Sequence, residues 1–213
     1  MSRIAVLDYD SGNLHSVARA LARVGGDAVV TDDPRVVKDA DALVIPGVGH
    51  FGQCVEALTD RGLDVAAMDF AGSGRPVFGV CVGMQILFEG SDESDRPGLG
   101  LLPGRVRDLG NPDGRHTTDL TVPHIGWNTV EWATSPHEHP YLSGLDDETY
   151  VYFVHSYAPF PFYPGTLGVT AHGWGFASVV ARENVFATQF HPEKSGDAGL
   201  QLYENFVKAV ASA

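Results

Sequence analysis

The chain has 213 residues, 44% of them hydrophobic and 19% charged, a size for one globular domain with a substantial core and not for a large multidomain enzyme. Fourteen Lys and Arg stand against 27 Asp and Glu, giving a formal charge of -13, and this balance repels phosphate backbones and anionic lipid, which excludes nucleic acid and membrane surfaces as partners. The first apolar run, residues 4–7, is too short for a signal segment and nothing later reaches the ~18 apolar residues of a membrane span; with only Cys54 and Cys81 available for disulfides, a reduced, cytoplasmic setting is expected.

In chain order, residues 3–8 read as a strand, and Leu14, Val17, Ala18, Leu21 and Val24 recur at helical spacing across 13–24. Apolar runs at 28–31 and 42–45 predict two more strands, the second ending abruptly at Pro46-Gly47-Val48-Gly49, and helices are predicted over 51–58 and 63–71. Residues 76–80 are continuously apolar, as in a strand buried on both faces, and helix-like sequence restarts over 83–88. Strands alternating with helices imply a mostly parallel sheet. From about 99 to 189 Pro, Gly, Thr and aromatic residues multiply; short strands are predicted at 150–154, 178–181 and 186–189, and this half is expected to be mainly antiparallel. A final helix over 199–210 places Tyr203, Phe206, Val207 and Val210 on one face. Nothing resembling a linker divides the chain, so residues 1–213 are expected to form a single domain.

Gly79-Val80-Cys81-Val82-Gly83 lies between a buried strand and a helix and has the form of a nucleophile elbow, with sulfur in place of oxygen. Small flanking residues let the chain turn so sharply that the nucleophile protrudes, while the helix start beneath it aims backbone N–H groups, Val82 first, at a developing oxyanion. Taken alone, such a cysteine is more often a small buried hydrophobe. A thiol nucleophile needs a base, and His191-Pro192-Glu193 follows the last predicted strand. Pro192 biases His191 toward extended backbone, where residues i and i+2 face the same way, so Glu193 can hold the imidazole. Cys81, His191 and Glu193 thus form a relay with the logic of a triad. A surface His-Pro-Glu turn is the competing reading of that segment by itself, and the elbow and the turn together are far stronger than either.

Pro46-Gly47-Val48-Gly49 follows a predicted parallel strand, at the end where α/β sheets bind ligands, although a plain tight turn has the same sequence. There is no phosphate loop and no dinucleotide-binding glycine pattern, so no cofactor is expected. His137-Glu138-His139 lacks the spacing of a metal pair and reads as a solvated loop, so no metal site is expected. His155 reads as a hydrogen-bonded sheet histidine, Cys54 as core, and the aromatic, proline-rich stretch 157–163 as irregular packing.

Together these motifs make the chain resemble the class I, triad-type glutamine amidotransferases, and within them the glutaminase subunits of imidazole glycerol phosphate synthases, over almost its whole length. The likeness runs through Asp8-Tyr9 with Gly12-Asn13-Leu14, the Pro46 and Gly79 motifs, Leu99-Gly100-Leu101-Leu102-Pro103-Gly104, Pro123-His124-Ile125-Gly126-Trp127-Asn128, Tyr152-Phe153-Val154-His155-Ser156-Tyr157 and Gln189-Phe190-His191-Pro192-Glu193-Lys194-Ser195. The elbow and His-Pro-Glu carry the superfamily. The segments that begin at Pro46, Pro123 and Tyr152 point to this branch and away from anthranilate, carbamoyl phosphate and pyridoxal phosphate synthases. Two departures are visible: Asp10 stands where the family has glycine, in the loop facing the partner, and Val82 replaces the usual leucine without changing the backbone N–H.

The resemblance implies a three-layer α/β fold with a central, mostly parallel sheet flanked by helices and an added antiparallel portion in the C-terminal half. It also implies a heterodimer with a separate (βα)₈-barrel cyclase, which uses ammonia to convert N'-phosphoribulosyl-formimino-AICAR ribonucleotide to imidazole glycerol phosphate and AICAR in histidine biosynthesis. Cys81 would attack the carboxamide of L-glutamine, with Val82, Gly47, Val48 and Gly49 supplying the oxyanion site. His191 would protonate departing ammonia and then activate water, oriented by Glu193. Gly49, Gln85, Glu93, Ser156 and Tyr157 match positions that hold glutamine, and Asn13, Trp127, Tyr152 and Lys194 match the partner face, through which ammonia would leave. Other readings of the same residues are a glutaminase for pyridoxal phosphate synthase, a stand-alone cysteine hydrolase, and a non-catalytic binding module; the intact triad makes the last the weakest.

Overall fold

The computed structural model describes residues 2–10, 12–114, 120–133, 135–160 and 165–212. Four strands, β1 (Arg3–Leu7), β2 (Asp27–Thr31), β3 (Ala42–Gly47) and β4 (Val77–Cys81), run parallel in the order β2-β1-β3-β4. Every residue of β3 and β4 is buried, which is why their sequences are continuously apolar and not alternating. The connections are α1 (Leu14–Arg23), α2 (Pro34–Lys38), and then α3 (Phe51–Asp60) and α4 (Leu63–Gly72) in succession. A four-residue helix, α5 (Val82–Gln85), starts directly from β4.

The second half follows as β5 (Phe88–Ser91), β6 (Leu102–Asp108), β7 (His124–Trp132), β8 (Thr149–His155), β9 (Tyr157–Pro159), β10 (Thr166–His172), β11 (Trp174–Arg182), β12 (Val185–Thr188) and the closing helix α6 (Gly196–Ser212). The main sheet has nine strands in the order β2-β1-β3-β4-β12-β11-β10-β7-β8, with β5-β6-β9 as a separate small sheet. The far side of the main sheet is antiparallel, as expected, but β12 returns to lie parallel beside β4, pairing Val185 with Val77 through Thr188 with Val80. Helix α1 packs on α6, while α4 packs on α2 and α3, so the helices cover the sheet as two groups. No helix among the described residues is long and apolar enough to cross a membrane.

Three expectations are corrected. The helix expected over 83–88 ends at Gln85, because Leu99 and Leu102 donate backbone hydrogen bonds to Ile86 and Leu87 at 2.7 and 2.9 Å and draw the chain into β5; tertiary pairing overrides local periodicity. Strands β6, β7 and β10 lie where the sequence predicts no strand; Gly126 lies within β7 and Gly168 within β10. Residues 157–159 of the supposedly irregular stretch form β9, which pairs with β6, and residues 161–164 lie outside the described chain. Position 83 must be glycine for steric reasons: a Cβ there would sit 1.8 Å from the Ile45 carbonyl oxygen.

Among the described residues, β7 pairs with β10 at Gly168 with Trp132 and Val169 with Glu131, and Ala133 N donates to the Leu167 carbonyl at 2.9 Å. Side chains add to this. His124 Nδ1 lies 3.0 Å from His155 Nε2, the His172 ring stacks on His124 with centroids 4.1 Å apart, and Thr170 Oγ1 donates to the Thr129 carbonyl at 2.9 Å. Burial first, and the neighbouring His172 ring second, lowers the pKa of His124 to about 4. Burial also dominates at His155, lowering it to about 3 despite the opposing hydrogen bond to the Tyr157 carbonyl.

Both rings are therefore neutral in the folded chain while their unfolded counterparts protonate below about pH 6.5, so stability is lost as pH falls from there toward 4. Each ring contributes a slope of up to about 1.4 kcal/mol per pH unit. Urea denaturation measured from pH 7 to 4.5 is expected to be less steep in pH for the His124→Asn, His155→Asn double variant, and an unchanged slope would contradict the neutral assignment. Gly83→Ala is expected to cost about 3 kcal/mol, near 6–12 °C in Tm by calorimetry, because the obstructing atom is backbone.

Candidate active site

The β4–α5 junction forces Cys81 into φ 55° and ψ -114°, a backbone region closed to most side-chain-bearing residues. The turn is held from below by β3, whose Gly47 is paired with Cys81 and packs against Gly83. Tyr9, fully buried, donates its hydroxyl to the Pro46 carbonyl and pins the end of β3. Beyond it Val48 and Gly49 border a cavity of about 230 Å³ above Cys81. Gly49 has φ +96°, a conformation that suits glycine. Gln85, Glu93, Pro123, Val154, His155, Ser156, Tyr157 and His191 complete the lining of the cavity.

His191 arrives from β12. Because β12 is in parallel register with β4, the chain leaves both strands at the same sheet end, and His191 comes to stand near Cys81. Its Nδ1 lies 2.7 Å from Glu193 Oε1, with both side chains sealed from solvent. Glu193 also accepts from Asn13 Nδ2 and, at 3.4 Å, from the Tyr203 hydroxyl. His191 Nε2 is buried and has no hydrogen-bond partner among the described residues. Burial is the largest influence on this imidazole and opposes its charge, but Cys81 on one side and Glu193 on the other outweigh it and raise the pKa to about 10. Burial and the Glu193 carboxylate together push Tyr203 well above its ordinary value, which keeps it a donor.

The expected link between His191 and Glu193 is present, though not for the expected reason. His191 is extended, but residues Pro192–Lys194 form a single 3-10 turn, and that turn swings the carboxylate back to the ring. Ser195 locks it, donating from Oγ to the His191 carbonyl at 2.7 Å and accepting from Tyr152 N at 3.0 Å. Gln85 donates from Nε2 to the Tyr157 carbonyl at 2.9 Å and to Gln189 Oε1 at 3.1 Å, and Gln189 Nε2 in turn lies 3.7 Å from Cys81 Sγ. Gln189 has no role assigned from sequence, although its place two residues before His191 at the end of a strand is a usable signal. For Tyr203 the sequence shows only a place on a helix face.

The remaining expected positions divide. Gly49, Gln85, Glu93, Ser156 and Tyr157 all line the cavity, as do Val48 and Val82, whereas Gly47 is packed beneath α5. One oxygen of Glu93 is already engaged by Phe51 N at 2.6 Å, at the start of α3. Trp127, Tyr152 and Lys194 form a contiguous surface cluster: the two aromatic rings are 6.1 Å apart and the Lys194 ammonium lies 5.8 Å over Tyr152. Asn13 belongs with the Glu193 carboxylate. Cys54 is buried, with its Sγ 3.6 Å from the Val48 carbonyl. His139 is not in a solvated loop; it stacks on Phe186 and accepts from Tyr141 N, so the expected loop is partly packed on the core. Among the described residues no group of three or more His, Cys, Asp or Glu side chains could hold a metal ion.

Comparison with known proteins agrees with this geometry. The model of the family "Glutamine amidotransferase class-I" matches residues 5–210. The chain is 48% identical over 212 residues to the imidazole glycerol phosphate synthase subunit HisH of Symbiobacterium thermophilum, covering 99% of this chain and 95% of that one. It is 45% identical over 207 residues to the same subunit of Sulfurimonas denitrificans, covering 96% and 97%. Among solved structures, a chain of PurLQS from Thermotoga maritima superposes with a TM-score of 0.72 at 19% identity, covering 98% of this chain and 99% of that one. The glutaminase domain of the Trypanosoma brucei CTPS superposes with a TM-score of 0.70 at 18% identity, covering 100% and 94%; at such identities the likeness speaks for the fold alone. A strained cysteine on a strand-to-helix turn, a buried His–Glu pair beside it, and near full-length identity of this order have one reading: the chain belongs to the class-I glutamine amidotransferase family, in the group of the imidazole glycerol phosphate synthase subunit HisH.

Proposed function

We propose that this chain hydrolyses L-glutamine to glutamate and delivers the ammonia to a (βα)₈-barrel cyclase in a heterodimer, for the synthesis of imidazole glycerol phosphate. The observation that carries the proposal is His191, buried between Cys81 and Glu193 and lining a cavity of about 230 Å³. That volume is below the roughly 300–1,000 Å³ of sites for drug-sized ligands, and it suits one small amino acid better than a peptide.

In this reading Cys81 Sγ attacks the carboxamide carbon and the oxyanion is met by Val82 N–H and a backbone N–H from Val48 or Gly49. His191, held as the imidazolium, gives its proton to the departing ammonia, leaving a glutamyl thioester. The neutral ring then takes a proton from water, which attacks the thioester and releases glutamate and the thiol. Glu193 orients the imidazole and offsets its charge. Gly49, Gln85, Glu93, Ser156 and Tyr157 would hold the substrate, Glu93 through the oxygen that Phe51 N does not occupy.

The cluster of Trp127, Tyr152 and Lys194 would form part of the partner face. Ile125, Trp127 and Tyr150 are 61%, 56% and 58% exposed, large apolar side chains of the kind that interfaces cover. The backbone of Tyr152 accepts from His191 N at 3.0 Å, so the strand that carries Tyr152 is bonded directly to the triad histidine.

Glutamate release from L-glutamine, measured for the purified chain alone and with a cyclase barrel carrying its phosphoribulosyl ligand, is expected only with the loaded barrel and not with Cys81→Ala. Full turnover without the barrel would favour a stand-alone hydrolase. Glu193→Gln is expected to lower kcat about 10²-fold or more with little change in KM; an undiminished kcat would remove the carboxylate from its role. Gly49→Pro is expected to abolish partner-dependent turnover, since proline fixes φ near -65° where the chain has +96°.

A further inference from the structure

Behind the cavity lies a chain of hydrogen bonds whose direction is fixed at every link. The Tyr157 carbonyl can only accept, so His155 Nδ1, 2.9 Å away, carries the proton and His155 Nε2 offers a lone pair. His124 Nδ1, at 3.0 Å, must then donate, which leaves His124 Nε2 to accept from Asn128 Nδ2 at 3.2 Å. The Asn128 amide is oriented independently, because its Oδ1 accepts from Thr129 N at 2.8 Å and its Nδ2 also donates to the Ala171 carbonyl at 2.9 Å. All four ring nitrogens are engaged, so neither histidine is free to move a proton for the substrate, and neither acts as a second base.

The chain does not stop at Tyr157. The carbonyl that accepts from His155 also accepts from Gln85 Nε2, whose other N–H goes to Gln189, and Gln189 Nε2 faces the Cys81 sulfur at 3.7 Å. With both its N–H groups engaged, Gln85 has only Oε1 left to offer the cavity it lines. Two neutral histidines and a glutamine pair buried where apolar residues would pack without polar cost are an expensive way to fill a core. Holding β7, β8 and β10 together does not by itself call for the connection to Gln85.

We propose that the buried pair His124–His155 is a positioning element of the glutamine site: by donating to the Tyr157 carbonyl it fixes that oxygen, and through it sets Gln85 and Gln189 so that an acceptor faces the substrate and a donor faces the nucleophile. This rests on the glutaminase reading above. His155 is the residue that acts, and His124 holds it in the required tautomer.

The test is steady-state glutamine hydrolysis by the complex with the loaded cyclase barrel, paired with alkylation of Cys81 by 6-diazo-5-oxo-L-norleucine, a glutamine-shaped electrophile, and by iodoacetamide, which needs only the sulfur. For His155→Leu the KM for L-glutamine is expected to rise about tenfold, the loss of one buried hydrogen bond, with a far smaller change in kcat. Alkylation by the glutamine analogue should weaken in proportion while the iodoacetamide rate holds. His155→Asn, whose Nδ2 keeps the donor to Tyr157, is expected to restore KM. His124→Leu does not alter the cavity wall and is expected to raise KM less, which keeps the test informative if His155→Leu does not fold. A wild-type KM in both leucine variants would overturn the proposal, as would loss of kcat alone that His155→Asn fails to restore. If the wild-type complex neither hydrolyses glutamine nor is protected by it from the analogue, the glutaminase reading itself fails and the positioning role falls with it.

Discussion

The parallel pairing of β12 with β4 is the contact on which the rest of the molecule depends. Four residue pairs, from Val185 with Val77 to Thr188 with Val80, bring together two segments separated by half the sequence. The entropic cost of closing so long a loop grows only slowly with its length, and it is met by strands buried on both faces with Phe78 and Phe186 in edge-to-face contact at 5.1 Å. Since parallel strands end on the same side, the cysteine at the end of one and the histidine beyond the end of the other are delivered to one place. An antiparallel β12 would have carried His191 to the opposite edge of the sheet.

At that edge the chain concentrates groups that are individually costly to bury. Cys81 stands at an unfavourable φ, Glu193 is a carboxylate with no exposed surface, and His191 is held toward its charged form in a buried site. Each is tolerable only because of the others. The imidazole balances the carboxylate, Asn13 and Tyr203 also donate to Glu193, and the sulfur and carboxylate together overcome the burial of the ring. The neighbouring histidines show the other solution. His124 and His155 are buried without an anionic partner, so they stay neutral and exchange hydrogen bonds instead of charge.

Packing geometry accounts for the glycines around the elbow. Helix α5 begins without a loop and lies across β3 so closely that Gly83 touches the Ile45 carbonyl. The helix therefore brings Val82 and Gln85 directly to the cavity, and the same close approach leaves the chain no room to relax the turn at Cys81. Chemistry and fold share these residues, which is why the elbow is dense in sequence signal while the outer strands are not.

Much of this was legible in the sequence. Continuous apolar runs gave the parallel strands, G-x-C-x-G gave the elbow, and the cavity-lining positions Gln85, Ser156 and Tyr157 followed from likeness to a family. The first two signals are local, set by sterics and periodicity within a few residues. The tertiary structure alone decided what depends on distant partners: the truncation of α5 by residues 99–102, the pairing of β7 and β10, the 3-10 turn that brings Glu193 to His191, and the chain from Asn128 through His124 and His155 to Gln85. A side chain's own neighbours in sequence determine how its backbone turns, but whether a buried histidine is charged or neutral is set by what the fold packs around it.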